Sequence, residues 1–164
     1  MDKVKIDPAD MGRRLRLMML TTPSRGKPTT EFPRVSGVLV DWPIGEHIAT
    51  IMSTSMGDAS LYTTSKFGVI GGIGHESVRD AAKELVKAAE HFFEAACPTT
   101  EFPYPVPGRI RFYLLTFEGV RVLETDLASI AGGTDRLAGL FGLAQSVLTE
   151  LRRITPNGRE VQSQ

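Results

Sequence analysis

The sequence is poor in the residues that most readily build a chemical site. It has one cysteine, Cys97, which excludes an intrachain disulfide and a cysteine-rich zinc site. That composition fits a reducing compartment. Cys97 also lacks the electropositive surroundings that lower a thiol pKa, so no nucleophilic role is expected of it. The three histidines, His47, His75 and His91, are scattered and show no metal-ligand spacing. No apolar run approaches the roughly 18–20 residues needed to cross a bilayer. The first eight residues lack the continuous apolar stretch of a secretory signal. Charge of one sign is missing too: 19 basic and 19 acidic side chains cancel, so no whole-molecule field draws the chain to nucleic acid or an anionic membrane. The expectation is a cytoplasmic protein with no metal, no cofactor, and neither nucleic acid nor membrane as partner.

What is present is patterned. Asp7 and Pro8 predict a helix start, with aspartate as cap and proline at the first helical position. Met11, Leu15, Met18 and Met19 form its apolar stripe and Arg13, Arg14 and Arg16 face elsewhere, as a wet face or a phosphate-binding patch. The helix should stop by Thr22, before Pro23. Val35–Trp42 and His47–Ser53 then flank Pro43-Ile44-Gly45-Glu46 as a hairpin. Within the second strand Ile48 and Met52 oppose Ala49 and Ile51, which predicts cover on both faces. Met56-Gly57-Asp58 is a turn, and Ala59–Thr64 and Phe67–Gly71 are further strands. A long amphipathic helix is expected from His75 to Ala96, carried by Val78, Ala82, Leu85, Ala89 and Phe93. Pro98 ends it. A proline-dense connector, Cys97–Gly108, leads to a second hairpin, Arg109–Phe117 with Val120–Asp126, joined at Glu118-Gly119. Thr134 is expected to cap a last helix built on Leu137, Leu140, Ala144, Val147 and Leu151.

Strands grouped in hairpins, not alternating with helices, predict an α+β fold. It has a mainly antiparallel sheet of five to six strands and three helices, in the order helix–strands–helix–hairpin–helix. The expected organisation is one α+β domain over residues 1–154 with a loose polar tail at 155–164. In element order alone this plan resembles the small scaffolds of the roadblock, longin and profilin type. That resemblance implies an interaction module and transfers no residue role.

Pro28-Thr29-Thr30-Glu31-Phe32-Pro33 recurs letter for letter as Pro98-Thr99-Thr100-Glu101-Phe102-Pro103. Both copies follow a helix and precede a hairpin, as a duplicated unit would, but the flanking residues share nothing. The alternatives are two stiff connectors whose phenylalanines plug the core, or two connectors lying side by side as a contact surface.

Two candidate sites follow. The glycine-rich corner Gly71-Gly72-Ile73-Gly74-His75-Glu76-Ser77 precedes a helix, where unpaired amides suit an anion. Its likeness to a dinucleotide fingerprint fails on context, because no parallel strand and acidic residue follow at the required distance. Ser77 with Asp80 is more simply a capping-box variant. Gly71, Gly72, Gly74, His75 and Ser77 are therefore the residues for a small anionic ligand or a minor enzymatic role. The other candidate is the run Leu17, Met18, Met19 and Leu20, too wide for one buried stripe, with Trp42 as a partner anchor or a core cap. No catalytic constellation is identified. The leading expectation is a non-catalytic protein–protein interaction or assembly subunit, with another protein or a second copy as partner.

Overall fold

A computed structural model describes residues 7–23, 26–65, 69–72 and 75–154. The fold is α+β. One antiparallel sheet has the order β4-β3-β2-β1-β6-β7-β5, from strands β1 (Val35–Ile44), β2 (His47–Thr54), β3 (Ala59–Thr63), β4 (Val69–Gly72), β5 (Cys97–Thr99), β6 (Arg109–Thr116) and β7 (Gly119–Asp126). The helices are α1 (Pro8–Thr21), α2 (Glu76–Glu90), α3 (Leu127–Ala131) and α4 (Ala138–Ile154). Two of these, β5 and α3, are short elements additional to the expected order. The tail at 155–164 lies outside the described residues.

The first hairpin is tighter than the sequence suggests, and the second is shifted by one residue. Ile44 pairs with His47, so the first loop is only Gly45-Glu46, and Gly45 takes a φ of 59° that glycine adopts without a Cβ penalty. Pro43 therefore lies inside β1, where an N–H is missing. The β6 pairing of β1 ends at Asp41, so that strand is an edge at Pro43 and no ladder bond is lost. The second loop is Phe117-Glu118, because Thr116 pairs with Gly119.

The two faces of the sheet bury different sets. On one, α2 and α4 pack against each other and against the strands, enclosing Val38, Val40, Ile51, Phe112 and Leu114 with Leu85 and Val147. Each such side chain contributes about 1.5–3 kcal/mol on burial. On the other, Leu39, Met52, Tyr62, Tyr113 and Leu115 pack with Leu20 of α1. As the alternation within β2 predicts, Ala49 and Ile51 enter the first cluster and Met52 the second.

The α2 helix stops at Glu90, six residues before the expected end, although apolar periodicity continues. From His91 the backbone tightens, with His91 N–H donating to Ala88 O (3.2 Å) and Phe92 N–H to Ala89 O (2.9 Å). Arginines take carbonyls at and beyond that end: Arg34 donates to Glu90 O (3.2 Å), and Arg121 to Phe93 O (3.1 Å) and Ala96 O (3.0 Å). Both guanidinium groups lie over the Phe93 ring, at 4.4 and 4.0 Å.

The last helix is capped by Asp135, not by Thr134. The Leu137 amide donates to Asp135 Oδ1 (2.8 Å), the Ala138 amide to Asp135 O (3.0 Å), and the Thr125 hydroxyl to Asp135 Oδ2. The Thr125 hydroxyl and the Leu137 amide hold this carboxyl below its ordinary range. Asp135→Ala should cost about 0.5–2 kcal/mol at neutral pH, as lost N-caps do. Since the folded pKa is depressed, the contribution is present above the ordinary value of 3.8 and is lost as pH falls. Thermal melts of both proteins should therefore converge on acidification.

The repeated hexapeptides adopt different local structures. In the first copy Phe32 N–H donates to Thr29 Oγ1 (2.9 Å) and Thr29 N–H to Phe32 O (3.1 Å). In the second, Glu101 N–H donates to Thr99 Oγ1 (3.1 Å), and Thr99 belongs to β5. Phe32 enters the cluster under α2 and α4, whereas Phe102 packs on the opposite cluster. Identical letters thus serve as core plugs on opposite faces, and the two copies do not form one continuous contact surface.

Candidate functional site

Along α1 a single column of side chains meets the sheet: Gly12, Arg16 and Leu20, spaced four apart, are buried. Gly12 sits so close to β3 that a Cβ there would lie 2.5 Å from Thr63 O. The missing side chain lets the helix lie against strand backbone. Leu20 is 3 % exposed and packs among Leu39, Met52 and Tyr62.

Arg16 lies between them and is 3 % exposed. It belongs to the interior, not to the wet face or phosphate-binding patch expected of it. Its Nε donates to both carboxylate oxygens of Asp41 (3.2 and 3.1 Å) and its Nη2 to Asp41 Oδ2 (2.6 Å). Asp41 is fully buried in β1, and Thr50 of β2 donates its hydroxyl to the same carboxylate. Its Nη1 also donates to Phe102 O (2.9 Å) and its Nη2 to Pro103 O (3.3 Å). The guanidinium stacks 4.0 Å from the Tyr104 ring centroid and 5.5 Å from that of Tyr113. Tyr113 donates its hydroxyl to Pro103 O (2.7 Å), which fixes the connector over the pair. Three chain segments distant in sequence therefore meet at one arginine.

Burial pushes the Asp41 carboxyl above its ordinary range, against the pull of Arg16, Thr50 and Arg111. For Arg16, burial disfavours the charge, but the hydrogen bonds and field of Asp41 outweigh it, so the guanidinium stays protonated. Burial likewise raises the Tyr104 hydroxyl.

The expected partner-binding residues divide between interior and surface. Leu20 is spent on the core. Trp42 is 6 % exposed and meets Phe141 edge to face at 5.7 Å, so it too serves the core and is not available as an anchor. Met19 is half-buried against the sheet. Leu17 and Met18 are 51 % and 52 % exposed on the outward side of α1.

At the glycine corner, Gly71 and Gly72 lie in β4, paired with Ser60 and Ala59. Gly74 lies outside the described residues. His75 is exposed and is the N-cap of α2; its carbonyl accepts from Arg79 N–H (3.0 Å), and its side chain makes no capping bond. Ser77 is also exposed but sits within the first helical turn, so the Ser77–Asp80 capping box is not how this helix begins. Glu76 places a carboxylate in that same turn. Among the described residues no group of three His, Cys, Asp or Glu side chains could hold a metal ion, and no helix is long and apolar enough to cross a membrane.

The Arg16–Asp41 centre was absent from the sequence-based candidates, although one signal pointed to it. Asp41 interrupts the continuous apolar run of Val38-Leu39-Val40 and Trp42, and a buried carboxylate requires a partner.

Comparison with protein-family models, with curated proteins and with solved structures finds no match.

Proposed function

We infer that this protein is a non-catalytic association module whose contact surface is the outward side of α1, with a second copy of the chain as partner. One observation carries the reading. Leu17 and Met18, adjacent large apolar side chains, stand about half exposed on a helix whose opposite side is fixed to the sheet. An apolar pair on a rigidly held helix offers contact area with little further ordering cost. Of the neighbouring arginines on α1, Arg16 is paired with Asp41 in the interior, Arg13 meets Asp10 at 3.7 Å on the surface, and Arg14 is exposed beside the apolar pair.

The test is sedimentation velocity on the wild type and on Leu17→Ser/Met18→Ser. The double variant should keep the wild-type melting temperature, because both side chains point outward. Its dimer dissociation constant should rise at least about tenfold, equivalent to 1.4 kcal/mol. Unchanged association would remove this surface from the assignment.

A further inference from the structure

A cavity of about 650 Å³ opens where four parts of the chain meet: the connector before β1, the β2–β3 turn, the β6–β7 loop and α2. That volume lies within the range of small-molecule sites. None of its lining belongs to α1, so it is separate from the association surface.

The walls are tied in place. In the connector Thr29 N–H donates to Phe32 O (3.1 Å) and Phe32 N–H to Thr29 Oγ1 (2.9 Å). Ser55 N–H donates to Ser36 O (2.9 Å) and Phe117 N–H to Arg34 O (3.3 Å), which pins both the turn and the loop to the chain around the start of β1. Gly57 takes a φ of 94° and lies so close to α2 that a Cβ there would stand 2.9 Å from Arg79 Cγ. The turn is thereby seated on the helix. Walls fixed in advance leave little ordering cost for a ligand that enters.

Donors face this space without acceptors. The one carboxylate of the lining, Glu31, is answered by Lys87 at 2.8 Å. Lys27 and Lys83 form no ion pair among the described residues, so their charges stay uncompensated. The hydroxyls of Thr30 and Ser55 likewise make no hydrogen bond among the described residues. Two ammonium groups and two hydroxyls are the donor set that an oxyanion takes up. The rest of the lining is apolar: Phe32 is buried, Phe117 half-buried, and Met56 77 % exposed. Met56 is the most exposed large apolar side chain among the described residues. An apolar group laid against it and Phe117 would remove that surface from water.

We propose that this cavity binds a small organic anion, a carboxylate or phosphate ester carried on an apolar body. Lys27, Lys83, Thr30 and Ser55 hold the charged head, and Phe32, Met56 and Phe117 take the body. Neither half of the site suffices alone: exposed lysines hold a bare, well-hydrated ion weakly, and the apolar part is too open to hold a neutral ring tightly.

The test is isothermal titration calorimetry of the full chain with four probes: phenyl phosphate, benzoate, inorganic phosphate and phenol. Phenyl phosphate or benzoate should bind at least tenfold more tightly than inorganic phosphate and phenol, which each carry one half of the ligand. The tighter of the two aryl anions identifies the head as a phosphate ester or a carboxylate. Lys27→Gln/Lys83→Gln should weaken that anion at least tenfold at an unchanged melting temperature, because neither lysine holds an ion pair. Met56→Ser should weaken the same anion and leave inorganic phosphate unchanged. No binding of either aryl anion, inorganic phosphate bound as tightly as phenyl phosphate, or an affinity that survives the loss of both lysines would overturn the proposal.

Discussion

Arg16→Met should lower folding stability by about 3–5 kcal/mol at neutral pH, the range for breaking one half of a buried ion pair. The cost arises from what remains. Asp41 is fully buried, and the Thr50 hydroxyl alone cannot replace the three guanidinium contacts. The Phe102 carbonyl also loses its 2.9 Å donor. Arg16→Met/Asp41→Leu should recover most of the loss, since two apolar side chains of similar volume remove the desolvated charge together with its partner. The pH dependence has a definite sign. Burial already holds the folded Asp41 carboxyl above 3.8, and removing Arg16 removes the strongest opposing group, raising it further. A carboxyl with a raised folded pKa binds more protons folded than unfolded, so its contribution is complete below the unfolded value and is lost as pH rises through the folded one. Chemical denaturation should therefore show a larger deficit for Arg16→Met at about pH 7 than at about pH 4.5. A deficit that grows on acidification would mean that Asp41 is not the group left unpaired.

Gly12→Ala should destabilise by about 1–3 kcal/mol, the range for forcing an extra carbon into a packed contact. Helix propensity alone predicts the opposite, a gain of about 0.8–1 kcal/mol for alanine over glycine inside a helix. Geometry decides between them. The added Cβ would stand 2.5 Å from Thr63 O and 3.3 Å from Thr63 N, and strand backbone cannot swing aside as a side chain can. The helix must lift, which lengthens the Arg16–Asp41 bonds four residues on and draws Leu20 from its cluster. A guanidinium chloride titration separates the two terms: a higher midpoint for Gly12→Ala would show that α1 does not approach β3 this closely.

Legibility from sequence tracked the range of the interactions involved. The hairpins and the start of α2 follow from local periodicity and turn residues, which act over a few positions. The premature end of α2 does not, because Arg34, just before β1, and Arg121 of β7 arrive from distant parts of the chain to take carbonyls at and beyond that end. Three-residue β5 and five-residue α3 are too short to repeat a pattern. Pro98, read as a terminator, sits in an edge strand, where its missing N–H costs nothing. On α1 the eye follows methionines and leucines, yet the column that docks is Gly12, Arg16 and Leu20, two of which look like residues that weaken or expose a helix. The exposed part of the expected partner surface, Leu17 and Met18, could be anticipated from an apolar run too wide for one stripe. Which half of that run would be buried could not, since the sheet beneath it is assembled from residues 35 to 126.

The most direct test of the account is the mass of the wild-type protein in solution, read by light scattering over a concentration series. Self-association through α1 predicts a mass that climbs from that of the 17.9 kDa chain toward twice that value and stops there. A mass that stays at 17.9 kDa to the highest concentration reached, with no partner retained in a mild pull-down, would contradict it.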